Sequence, residues 1–110
     1  AANGDVVNKI GTYMLSLAAN ASRVPVVCVF PISTLDLSME TGKQVDIEQR
    51  DPLEVLDIQY QGETAAPTGS KALNPAFDIT PAELISAWVT EKGIIRPPFK
   101  QNLSSCVYNS

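Results

Sequence analysis

Asn3-Gly4-Asp5-Val6-Val7-Asn8-Lys9-Ile10-Gly11-Thr12-Tyr13 is the stretch on which the reading of this chain turns. It sets an amide, Asn8, beside a cation, Lys9, where the pattern predicts that a helix opens. Backbone N–H groups and the positive end of the helix dipole favour an anion at such a place. Val6, Val7, Ile10, Tyr13, Met14, Leu17, Ala18 and Ala21 recur at three- and four-residue spacing. That spacing predicts one amphipathic helix from about Asp5 to Asn20 or Ala21. Asp5 is its N-cap in this reading, with the carboxylate accepting from the Asn8 N–H.

Val24-Pro25-Val26-Val27-Cys28-Val29-Phe30 follows, apolar at consecutive positions and rich in β-branched residues. An unbroken run of this kind predicts a strand buried on both faces, as in a parallel sheet. Helix then strand is half of a βαβ unit, which places the chain in the α/β class with the other half expected upstream of Ala1. Ser33, Thr34 and Asp36 lie beyond the carboxyl end of that strand, where open α/β sheets hold ligands. Asp51-Pro52-Leu53-Glu54-Val55-Leu56 predicts a short helix with Asp as cap and Pro at the first position. Tyr60 to Lys71 carries turn formers and few apolar anchors, so an exposed loop is expected. Thr80-Pro81-Ala82-Glu83 has the form of a capping box and predicts a helix with Leu84, Ile85, Trp88 and Val89 on one face. Lys92-Gly93 would close it. From Phe99 onward a polar, fraying tail is expected, which divides the chain at 98/99. Internal repeats and low-complexity segments are absent from the sequence.

Composition narrows the function classes. The 110 residues include no His and carry a formal charge of −4. The eight basic residues are scattered, so nucleic acid is not expected as a partner. The most apolar run, Val24 to Ile32, is too short to cross a bilayer and contains two prolines, so no membrane partner is expected either. Cys28 and Cys106 stand far apart without a disulfide framework, which points to a reducing intracellular compartment. The location expected is the cytoplasm, with the nucleus as a second one. Without His, no cluster has metal-ligand spacing, and neither metal nor other cofactor is expected. The first residues run straight into a polar motif with neither Met nor signal peptide, so a cut or partial polypeptide is expected.

The candidates for chemistry are few. Lys9 offers a point charge for a phosphate, and Asn8 a donor–acceptor pair for a phosphate or a sugar hydroxyl. The competing reading is a solvated Lys9 with Asn8 in a cap. Asp5, Asp36 and Asp78 are each explained by capping or turn formation. Glu91 and Lys92 read as surface groups at a helix end. Cys28 reads as a small core hydrophobe rather than a nucleophile. No Ser-His or Cys-His pairing can form, so the chain lacks a self-sufficient set of acid–base catalysts.

Ala-Ala-Asn-Gly-Asp-Val-Val-Asn-Lys-Ile-Gly-Thr-Tyr at the start resembles the methylthioribose-1-phosphate isomerases. So does Asn-Pro-Ala-Phe-Asp-Ile-Thr-Pro-Ala-Glu-Leu-Ile, Asn74 to Ile85, with Val-Thr-Glu-Lys-Gly-Ile-Ile-Arg-Pro-Pro behind it. These enzymes share their fold with the regulatory subunits of translation initiation factor 2B. The resemblance covers residues 1–98 and implies the carboxyl-terminal third of such an enzyme, supplying the later helices and strands of a Rossmann-like domain whose mostly parallel sheet is flanked by helices and completed by upstream chain. It implies substrate binding by Asn8 and Lys9, which favours the ligand reading of that pair, and a supporting place for Asn74 and Asp78. It also implies a catalytic Asp in a Gly-Ala-Asp-Arg motif just ahead of Ala1 and a catalytic Cys further upstream; Cys28 and Cys106 do not match the latter. The implied partners are the amino-terminal remainder of the protein, a sugar phosphate and, for complete protomers, a second copy in a homodimer. The implied reaction converts 5-methylthioribose 1-phosphate to 5-methylthioribulose 1-phosphate in methionine salvage. A non-catalytic regulatory subunit of the translation-factor type and a ribose-1,5-bisphosphate isomerase are the rival readings.

Overall fold

The computed structural model describes residues 1–107. Its first element is a strand, β1 (Val6–Lys9), and the helix α1 (Thr12–Ala21) starts only after it. The single helix expected from Asp5 is therefore corrected to a strand, a turn at Ile10-Gly11 and a shorter helix. The reason is tertiary. β1 pairs antiparallel with β5 (Phe77–Thr80), in the register Val6↔Thr80, Val7↔Ile79, Asn8↔Asp78, Lys9↔Phe77. Cross-strand pairing of β-branched residues outweighs a helical spacing that Val6 and Val7 satisfy only weakly. Gly11, at φ 106°, takes the left-handed conformation that turns the strand into the helix.

The run after Pro25 does form a strand, β2 (Val27–Val29). It lies parallel to β6 (Ala87–Thr90), which in turn pairs antiparallel with β7 (Gly93–Ile95). Strands and helices are thus mixed, as the α/β class requires. Val27 and Val29 are exposed, whereas burial on both faces was expected; within residues 1–107 β2 is the edge strand of its sheet. The helix expected from Thr80 is also corrected. Ala82–Leu84 makes one 3-10 turn and the chain re-enters the sheet as β6. The capping box never forms: Thr80 Oγ1 is buried without a partner, and Asp5 accepts from the Ala82 N–H in its place. The spacing of Leu84, Ile85, Trp88 and Val89 suits a helix, but Ser86 docks on Val26 through its N–H and hydroxyl and imposes the strand. Gly93, at φ 122°, then turns the β6–β7 hairpin rather than capping a helix.

Asp51-Pro52 launches a short helix as expected, α2 (Leu53–Leu56), with the Asp51 carboxylate accepting from the Leu53 N–H at 2.9 Å. The loop that follows contains an exposed hairpin, β3 (Gln59–Tyr60) with β4 (Glu63–Thr64), turned by Gln61 and Gly62 at positive φ. The tail expected to fray is corrected through Val107: it is the helix α3 (Phe99–Val107), and Phe99 and Leu103 are buried. Residues 108–110 of that expectation lie outside the described residues.

The core forms where β6, β7 and α3 meet, from Ile85, Trp88, Ile95, Phe99 and Leu103. The Trp88 ring stacks on Phe99 at 4.3 Å and meets the Phe30 ring edge-on at 5.3 Å. Gly4 is buried beside this cluster at φ 103°; a Cβ there would collide with the Phe99 ring and lie 2.9 Å from Ala82 Cβ. The neighbouring Asp5 carboxylate ties three segments together. It accepts from the Gly42 N–H at 3.0 Å and from the Ala82 N–H at 3.0 Å. Burial raises its pKa, but hydrogen bonds from Asn3, Gly42 and Ala82 outweigh that and hold it below the ordinary 3.8.

Two outcomes follow from this packing. Gly4→Ala destabilises the protein by about 3 kcal/mol, the sum of a left-handed alanine and an overpacked ring; urea denaturation checks it, and a change within error would show that Phe99 yields freely. Asp5→Asn costs about 1–3 kcal/mol at neutral pH. Because the folded pKa lies below 3.8, that advantage of the wild type is complete above 3.8 and is lost as pH falls through the folded value. Denaturation curves across that range check the sign, and a gap independent of pH would contradict it.

Candidate functional site

Asn8 and Lys9 are the last two residues of β1, not the first turn of a helix. Both are exposed. Successive strand residues alternate faces, so the two side chains leave the strand on opposite sides. Two of the N–H groups at the start of α1 are taken by a side chain. The Asp78 carboxylate accepts from the Gly11 N–H at 2.8 Å and from the Tyr13 N–H at 3.1 and 3.2 Å. Asp78 therefore caps α1 from another strand, whereas its expected place was the start of a helix at Thr80. An incoming anion therefore meets a carboxylate already in place at that helix end.

On one face of β1, Asn8 lies opposite Asp78 and meets the first turn of α1. Its Nδ2 donates to Thr12 Oγ1 at 3.2 Å, and Thr12 Oγ1 donates to the Lys9 carbonyl at 2.8 Å. Asn8 and Thr12 stand at the polar lip of a groove of about 390 Å³ between β1, α1 and β2, with Ser16, Cys28 and Phe30 further in. Burial pushes the Cys28 thiol up, as a core residue requires and a nucleophile does not.

The opposite face carries a polar cluster that the sequence reading did not pick out. Residues 48–50 run beside 74–76, joined by Arg50 N–H to the Asn74 carbonyl and Ala76 N–H to the Glu48 carbonyl, both 2.8 Å. The Arg50 guanidinium grips Glu54 with Nη2–Oε1 at 2.6 Å and Nε–Oε2 at 3.0 Å. Asn74 Nδ2 donates to Glu54 at 2.9 Å and to the Asp51 carbonyl at 2.9 Å. The Glu54 carboxyl is lowered to about 2, by the Arg50 hydrogen bonds first and Asn74 next, with the charges of Arg50 and Lys9 adding. Asn74 thus belongs to the Arg50–Glu54 cluster, and Asp78 stands across the strand pair from Asn8. The signal for the cluster was available: Arg50 and Glu54 are spaced i, i+4.

The loop beyond β2 does other work. Asp36 accepts from the Ser38 N–H at 3.0 Å and makes the turn expected of it. It also lines a cavity of about 220 Å³ with Phe30, Thr34 and Trp88. Glu91, read as a surface residue, accepts from the Ile32 N–H at 2.8 Å and holds the loop after β2. Among the described residues, no group of three or more His, Cys, Asp or Glu could hold a metal ion, and no helix is long and apolar enough to cross a membrane.

Known proteins resemble the whole of this arrangement. The chain is 54% identical over 108 residues to a methylthioribose-1-phosphate isomerase of Synechococcus, covering 98% of this chain and 30% of that protein. The crystal structure of 5-methylthioribose 1-phosphate isomerase from Pyrococcus horikoshii superposes with a TM-score of 0.89 at 41% identity, over 99% of this chain and 30% of that one. Translation initiation factor eIF-2B, subunit delta, from A. fulgidus superposes with a TM-score of 0.84 at 38% identity, over 94% of this chain and 30% of that one. The chain spans about a third of the length of these relatives. The initiation factor 2 subunit family matches residues 1–97, and the chain belongs to that family.

Proposed function

We propose that this chain is the carboxyl-terminal part of a sugar-phosphate aldose–ketose isomerase that converts 5-methylthioribose 1-phosphate to 5-methylthioribulose 1-phosphate, a step of methionine salvage. The observation that carries this reading is the 54% identity, sustained over 98% of the chain, to a relative named for that activity. Lys9 binds the phosphate and Asn8 the sugar. The reaction needs help at its first step, because a phosphate on the anomeric oxygen blocks ordinary ring opening to an aldehyde. A held phosphate and a dry cleft favour the ring opening and the transfer of hydrogen from C2 to C1 that follows. The catalytic Asp and Cys come from the longer protein, and no cofactor takes part.

The amino-terminal remainder of the protein is the first partner in this reading. Val27 and Val29 on β2 and Met14 and Leu15 on α1 expose apolar surface, the last three at 70% or more. Surface of that kind calls for cover. Complete protomers form a homodimer in the cytoplasm or nucleus, without nucleic acid or membrane as partners. The rival is a non-catalytic subunit, supported by the likeness to eIF-2B subunit delta. An isomerase assay on the full-length protein with 5-methylthioribose 1-phosphate separates the two, since a regulatory subunit gives no turnover.

In that assay Lys9→Ala raises KM and lowers kcat/KM by about 10- to 100-fold, the worth of a hydrogen bond to a charged group. Kinetics equal to the wild type would remove Lys9 from the site. The 110-residue chain expressed alone associates with itself or with the separately expressed remainder. A monomeric chain that unfolds cooperatively would defeat the partnership.

A further inference from the structure

The Thr12 hydroxyl has one hydrogen, and it is spent on the Lys9 carbonyl at 2.8 Å. The Asn8 amide lies 3.2 Å from the same oxygen. An oxygen with its hydrogen committed can only accept, so Asn8 must turn its NH2 toward Thr12 and its Oδ1 away. The flipped amide would set two oxygens face to face with no hydrogen between them. Among the described residues nothing donates to Asn8 Oδ1. The amide keeps a second N–H, but its carbonyl oxygen is the atom left wholly unpartnered.

We propose that Thr12 is a positioning residue that locks Asn8 as a hydrogen-bond acceptor for a hydroxyl of the sugar, leaving the phosphate to Lys9. This rests on the sugar-phosphate reading above and assigns the two neighbours different parts of the ligand. A phosphate monoester carries close to two negative charges at neutral pH and offers no hydrogen to Oδ1. A sugar hydroxyl does. Because Asn8 and Lys9 leave β1 on opposite faces, a ligand that both touch has to lie across the strand's end at Lys9, with a different part of it toward each side chain.

The test uses the full-length protein and 5-methylthioribose 1-phosphate. Thr12→Val removes the hydroxyl at nearly constant shape and frees the Asn8 amide to rotate. It raises KM by about tenfold, the scale of one hydrogen bond, with kcat within about twofold. Thr12→Ser keeps the hydroxyl and keeps the wild-type KM. In an Asn8→Ala background Thr12→Val adds nothing, because there is no amide left to orient. A Thr12→Ser variant as weak as Thr12→Val, or a full Thr12→Val effect on top of Asn8→Ala, overturns the assignment while Lys9→Ala still supports the sugar-phosphate site. Wild-type kinetics in both Asn8→Ala and Lys9→Ala would remove that site, and this assignment with it.

Discussion

A single carboxylate decides what this corner of the protein can do. Asp78 stands on β5 and places its oxygens on the N–H groups of Gly11 and Tyr13, 2.8 to 3.2 Å away. Gly11 has no side chain with which to cap α1, so the cap must come from elsewhere in the chain. A carboxylate at a helix N-terminus combines charge-assisted hydrogen bonds with a favourable interaction with the dipole. The same contact fastens α1 to the β1–β5 strand pair, and so ties the helix to the strand that carries Asn8 and Lys9. It also sets a negative charge at that helix end, where a second anion is disfavoured.

Asp5 does for the platform what Asp78 does for the helix. Its bonds to Gly42 and Ala82 pull the loop before the 3-10 turn at Gly42–Gln44 and the turn between β5 and β6 against the start of the chain. Behind it, Trp88 is 1% exposed and sits between the rings of Phe30 and Phe99. The well-packed part of the molecule is therefore the side formed by β6, β7 and α3. Apolar surface is left open on the other side, along α1 and β2. In α1 the one fully buried residue is a serine, Ser16, whose hydroxyl donates to the Thr12 carbonyl at 2.8 Å. A helix with its leucines outward and a serine inward has its main apolar contacts still to make. That imbalance agrees with a chain spanning about a third of its relatives' length.

Local signals were legible where they agreed with their surroundings. The Asp51-Pro52 helix start, the β2 run, the Asp36 turn and the α/β class follow from a few residues each. Two of the failures share one cause: a periodicity that two structures satisfy. Val6, Val7 and Ile10 fit a helix, yet residues 6 and 7 pair across to Thr80 and Ile79. Leu84, Ile85, Trp88 and Val89 fit a helix too, yet they follow a turn that Asp5 captures from seventy-seven residues away. No local rule ranks those options, because the deciding hydrogen bonds are long-range. α3 was missed for the opposite reason. Its polar composition hid Phe99 and Leu103, one turn apart on a single face, which is all the core required. For the candidate site, the sequence could nominate Asn8 and Lys9 as a pair, while their surroundings on β5 and in residues 48–54 were not legible.

Those surroundings set the charge that a ligand would meet. Glu54 keeps its proton off down to about pH 2, so at neutral pH the cluster beyond Lys9 holds one carboxylate and the Arg50 guanidinium. The pair cancels at close range, through a two-point grip that leaves Glu54 little charge to spend elsewhere. Among the described residues Lys9 makes no ion pair, and the Glu54 carboxylate is already held by Arg50. On the other face Asp78 is spent on backbone N–H groups, so Asn8 looks out past a carboxylate that is already occupied. A chain with a formal charge of −4 can in this way present a locally cationic strand end. Binding an anion here needs no basic surface, only that each neighbouring acid have its own partner inside the fold.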